Sequence, residues 1–158
     1  MRFRFALPVC LMLLSSTSLG AAAAEKAVSP DSLRKAAIRQ GWPDTDAGML
    51  AARWVRAFSR GEKAMKTLLT EIVTSESLKK RSMDERLEGY RDMHERFGEL
   101  QLVKVVKSSS SEVTVQLAGM DMTPREFTFA LVADQPGKLD HISYQDFVHQ
   151  GHGSGFHH

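Results

Sequence analysis

The sequence predicts an α+β domain, a curved antiparallel sheet of about four strands packed on three N-terminal helices. Three observations predict it. Apolar residues recur at helical spacing as far as Phe97, the period switches to alternation after Gly98, and the alternating runs are consecutive and joined by short turns. Consecutive strands on short turns pair antiparallel.

Residues 25 to 44 contain a helical candidate, "SPDSLRKAAIRQG", with Ser29 or Asp31 as the cap. Its apolar face is thin, so it reads as an arm or short helix that Trp42 pins to the body. The first strong helix is "DTDAGMLAARWVRAFSRG". Leu50, Ala51, Trp54, Val55 and Phe58 form one stripe, Arg53, Arg56 and Arg60 lie mostly outside it, and Gly61 stops it.

A second stripe, Met65, Leu68, Leu69, Ile72 and Val73, begins at once, so the chain must fold back or bend sharply near Gly61. In the third helix Ser82 and Glu85 have capping-box spacing, which puts the start near Met83. Leu87, Tyr90, His94 and Phe97 share a face, and Gly98 ends the helix.

"LQLVKVVK" is the first expected strand, Ser108 to Ser111 the turn, and "EVTVQLAG" the second strand, with Val113, Val115 and Leu117 on one face. "REFTFALVA" follows with Phe127, Phe129 and Leu131 on one face, then the turn "DQPGK", then "LDHISYQDF". No internal repeat is visible.

Residues 1 to 24 have the layout of a secretory signal: Arg2 and Arg4, an apolar run from Phe5 to Leu14, then small residues ending Ala22-Ala23-Ala24. The run is shorter than the roughly 20 residues that cross a bilayer. An exported product, periplasmic or secreted, is expected. Of 21 Lys and Arg, two fall in this segment, leaving 19 against 19 Asp and Glu in 134 residues. The exported chain is thus formally neutral, which argues against nucleic acid or an anionic membrane as partner. Cys10, the one cysteine, is removed with the signal, so the domain must be held by packing. The expected organisation is a signal at 1–24, an arm at 25–44, the domain at 45–147 and a flexible His/Gly-rich tail at 148–158.

From about Asp46 to Tyr144 the chain resembles the nuclear-transport-factor-2-like (cystatin-like) domain found ahead of serine hydrolases in secreted bacterial proteins. The residues that carry the resemblance are the turn Phe58-Ser59-Arg60-Gly61-Glu62, the "SLKKRSMDER" stretch before the third helix, and the serine-rich hairpin leading to "EVTVQL". The resemblance implies a cone-shaped fold, a curved antiparallel sheet wrapped around helices, often with a cavity at the open end. It includes isomerases, dehydratases and cyclases beside non-catalytic binding domains, so fold alone does not choose among them.

Tyr90, His94, Trp54, Phe58, Phe97 and Phe129 are the candidate wall of such a cavity; the same residues equally suit a closed core whose polar ends are hydrogen-bonded. Tyr144, His141 and Asp121 are further polar candidates, and none matches the family's catalytic positions. No Gly-x-Ser-x-Gly elbow occurs, which argues against a serine hydrolase. His149, His152, His157 and His158 suit weak binding of zinc, copper or nickel, although the intervening glycines disfavour a helix that would align them. No cofactor is implied. The leading expectation is a non-catalytic accessory domain that binds an apolar small molecule or a protein, for instance a serine hydrolase in trans. The alternative is a cofactor-free isomerase or lyase working through Tyr90, His94 and a carboxylate. A homodimer through the outer sheet face is a further expectation if Val103, Val105, Thr114, Thr128, Ala130 and Val132 are exposed there.

Overall fold

Chain order follows the expectation of helices first and strands afterwards. The computed structural model describes residues 29–146, so the expected signal at 1–24 and the tail at 148–158, with its four histidines, lie outside the described residues.

Helix α1 (Pro30–Arg39) begins where Pro30 occupies the first turn and the Ser29 hydroxyl accepts from the Ser32 N–H. Both devices suit a helix start, since the first N–H groups have no intrahelical partner. α1 itself buries no residue, but Trp42 just beyond it is only 6% exposed and joins the core. It anchors the arm as expected.

Helix α2 (Asp46–Arg60) is capped by Thr45, whose Oγ1 accepts from the Gly48 N–H at 3.1 Å. Leu50, Ala51, Trp54, Val55 and Phe58 are all buried. Gly61 then reverses the chain in one residue at φ 97°, a backbone region costly for side chains with a Cβ, and α3 (Glu62–Ile72) starts immediately. The two helices are tied by an exposed Arg53–Glu71 pair at 2.6 Å, worth at most about 1 kcal/mol. Burial of Met65, Leu68, Leu69 and Ile72 contributes far more, at about 1.5–3 kcal/mol for each large side chain.

A short helix the sequence reading did not separate, α4 (Ser75–Lys80), precedes the expected third long one. Thr74 caps it, and Arg86 staples the corner by donating to the Ser77 carbonyl at 3.0 Å, the Ser77 hydroxyl at 2.7 Å and the Arg81 carbonyl at 3.1 Å. Helix α5 (Met83–Phe97) carries the full capping box: Ser82 accepts from the Glu85 N–H, and the Glu85 carboxylate accepts from the Ser82 N–H.

Strands β1 (Gln101–Ser108), β2 (Glu112–Ala118), β3 (Pro124–Leu131) and β4 (Leu139–Asp146) form one antiparallel sheet in sequence order. The sheet is curved and unclosed and packs against the helices. Its inner face is read directly from the register. Val105, Val115, Phe127 and Tyr144 form one row, and Val113, Phe129 and Ile142 the next.

The expected outer face needs one correction. Two bulges in β1, between Leu102 and Lys104 and between Val105 and Lys107, shift the alternation, so Val105 packs on the core while Val103 and Val106 are 53% and 46% exposed. The outer rows are polar: Lys107, Thr114, Thr128 and Ser143 align, with the two threonine hydroxyls 3.1 Å apart. Thr114 is buried there and Ala130 is half-buried.

Candidate functional site

Helix α2 lays Trp54 and Phe58 one turn apart over the inner face of β3, and α5 brings Tyr90, His94 and Phe97 onto the same interior. All six expected wall residues meet in one continuous ring system. Trp54 stacks on Phe58 at 5.1 Å between centroids and meets Phe129 edge-on at 5.5 Å. Tyr90 meets Phe58 edge-on at 5.3 Å, and His94 lies 5.4 Å from each of those two rings. Phe127, placed between Trp54 and Phe97 at 6.5 and 6.4 Å, joins the two ends.

The rings fill the space they enclose. Phe58, Phe97 and Phe129 are wholly buried, Trp54 and Tyr90 nearly so, and His94 is half-buried. Tyr90 Oη donates to the Phe58 carbonyl at 3.3 Å, and burial, with the Glu62 charge adding to it, pushes the phenol above its ordinary pKa. Clefts occur elsewhere. One of about 250 Å³ lies between the start of α2 (Asp46, Met49, Leu50, Arg53) and the β3–β4 turn (Pro136, Gly137), and another of about 340 Å³ lies beside α1 at Lys35, Ile38 and Arg39. No ring of the cluster lines either.

The remaining polar candidates are separated. His141 sits on the outer rows opposite Ala130, its Nδ1 2.9 Å from the Asp140 carboxylate, both exposed. Asp121 and Tyr144 are at the end of the sheet where α5 gives way to β1, and there a constellation appears that the sequence reading missed.

Arg125 is the inward residue of β3 two positions before Phe127, and its side chain is 9% exposed. Its guanidinium lies 4.5 Å from the centre of the Phe97 ring, within cation–π range. It donates to both Asp121 oxygens, at 3.0 and 2.6 Å, and to the Thr123 carbonyl at 3.1 Å. That grip, joined by the Thr123 N–H, holds the Asp121 carboxyl far below the usual carboxylate range. Arg96 lies 5.0 Å from the same ring and 3.5 Å from the Tyr144 hydroxyl, while Tyr144 stacks on Phe127 at 5.4 Å.

Flanking Asp121 are Met120 and Met122, 72% and 76% exposed. With Tyr144 at 37% they place three of the large exposed hydrophobic side chains at one end of the sheet. One signal for this surface was in the sequence: alternation in "REFTF" puts Arg125 on the same face as Phe127 and Phe129.

No group of three His, Cys, Asp or Glu side chains suited to a metal occurs among the described residues, and none of their helices is long and apolar enough to cross a membrane. No family model matches the chain, and no curated protein or solved structure matches it either. The architecture itself defines the class: α+β, with an open antiparallel sheet laid on helices.

Proposed function

We propose that the chain is an exported, non-catalytic binding domain of the nuclear-transport-factor-2-like kind, which engages a protein partner through the end of the sheet bearing Met120, Met122 and Tyr144. The observation that carries this reading is the contrast between a filled aromatic interior and exposed thioethers and phenol beside two arginines. Methionine, tyrosine and arginine are enriched at protein interfaces, and flexible thioethers adapt to a partner's shape. Residues 1 to 24 support export through their charged, apolar and small-residue order. A serine hydrolase acting in trans is the partner class implied by the resemblance.

The isomerase or lyase alternative rests on the Tyr90–His94 contact. It is less well supported because the Tyr90 hydroxyl is already donated to a backbone carbonyl within packed rings.

A photo-crosslinking residue placed at Met122, compared with one at the exposed Thr67 on α3, tests the proposal in producing cells. The expected result is a discrete adduct from position 122 only. The captured protein, purified and titrated against Met120→Asp and Met122→Asp variants, should lose about tenfold or more in affinity, the scale of an interface hot spot. Equal adducts from both positions, or unchanged affinity, would overturn the reading.

A further inference from the structure

We propose that Met120 and Met122 form a reversible oxidation site, a pair of surface thioethers that hydroperoxides convert to sulfoxides while the domain stays folded. Reactivity follows access, and the methionines differ sharply in it. Met120 and Met122 are 72% and 76% exposed, Met65 is wholly buried, and Met49, Met83 and Met93 are partly buried against the core. In the reaction a sulfur lone pair attacks one oxygen of hydrogen peroxide. An S–O bond forms as the O–O bond breaks, the proton on the transferred oxygen passes to the departing hydroxide, and water leaves. The sulfur is oxidised by the two electrons that the peroxide gains.

The loop is built to survive the change, because its conformation is held by groups other than the sulfurs. The Met120 N–H donates to the Phe97 carbonyl at 2.8 Å and the Met122 N–H to the Gly119 carbonyl at 3.0 Å, while Arg125 clamps Asp121 between them. The Met120 side chain lies over Gly98, where a Cβ would collide with its Cγ, Sδ and Cε. Oxidation therefore turns an adaptable apolar surface into a polar one and leaves the buried core untouched. An exposed sulfoxide also remains within reach of the reductases that restore the thioether.

The test is peptide mass spectrometry of the full chain after graded hydrogen peroxide, with circular dichroism on the same samples. Met120 and Met122 should each gain one oxygen on the order of tenfold faster than Met65, with near-ultraviolet signal retained, and both methionine sulfoxide reductases together should reverse the change on folded protein. A Met120→Leu, Met122→Leu double variant should lose the fast uptake. Oxidation of Met65 at a comparable rate, loss of the tertiary signal as these two oxidise, or failure of the reductases would overturn the proposal. None of these readouts requires a binding partner, so this inference and the proposed function fail separately.

Discussion

The Tyr90 hydroxyl donates to the backbone carbonyl of Phe58 across 32 positions of sequence, at 3.3 Å and in the buried core. Phe58 lies in the last turn of α2, where carbonyls have no intrahelical partner because Gly61 turns the chain away. The phenol fills that vacancy and locks α5 to the α2–α3 corner.

Tyr90→Phe should therefore cost about 1–2 kcal/mol in urea unfolding at neutral pH, the price of a buried carbonyl left unsatisfied. Its pH dependence gives a second check. The phenol pKa is raised in the fold, so the native state holds its proton after the unfolded chain has lost it, and wild-type stability falls as pH rises above about 10. The gap between wild type and the variant should narrow in that range, and a pH-independent gap would contradict this account.

Asp121→Asn should weaken the β2–β3 loop by unmaking the two-oxygen grip of Arg125. Asp121 has a depressed pKa in the fold, so its contribution is present above the unfolded value of about 3.9 and is lost as pH falls from there toward the folded value. Thermal melts should show wild type above the variant at neutral pH, with the two converging in strong acid.

Gly119→Ala should destabilise by about 1–3 kcal/mol, because the added methyl would be driven into the Phe97 carbonyl oxygen and the Phe97 Cβ, and backbone cannot step aside as a side-chain end can. Met120→Ala at the neighbouring exposed position should change the unfolding free energy measured in urea by about 0.5 kcal/mol or less.

Phe129→Ala should cost about 3–5 kcal/mol, the range for emptying a buried aromatic site. Its ring is wholly buried and meets both Trp54 and Phe127. An equilibrium unfolding curve little changed from wild type would show that the interior is looser than described.

Much of the fold was legible because the deciding forces were local. Ser82 and Glu85 reveal a helix start by their spacing, since the hydroxyl and carboxylate act only on the N–H groups beside them. Val113, Val115 and Leu117 reveal an inner face because successive strand residues point to opposite sides. Of the candidate site, the six ring residues meet in the structure, but they lie on three elements, α2, α5 and β3, whose approach no local spacing dictates. Whether those rings lined a cavity or filled a core was not legible, because that depends on the sum of side-chain volumes across elements distant in sequence.

The sequence by itself determined the chain order of the long helices and the strands, the Ser82 cap and the inward stripes of α2, α3 and α5, through hydrogen bonds and periodicities that span a few residues. Tertiary structure alone decided that the rings close on one another, that two bulges turn Val105 inward, and that Arg125 grips Asp121 beside a pair of exposed methionines. Those outcomes come from packing and register between strands and helices far apart in the chain, which no local pattern encodes.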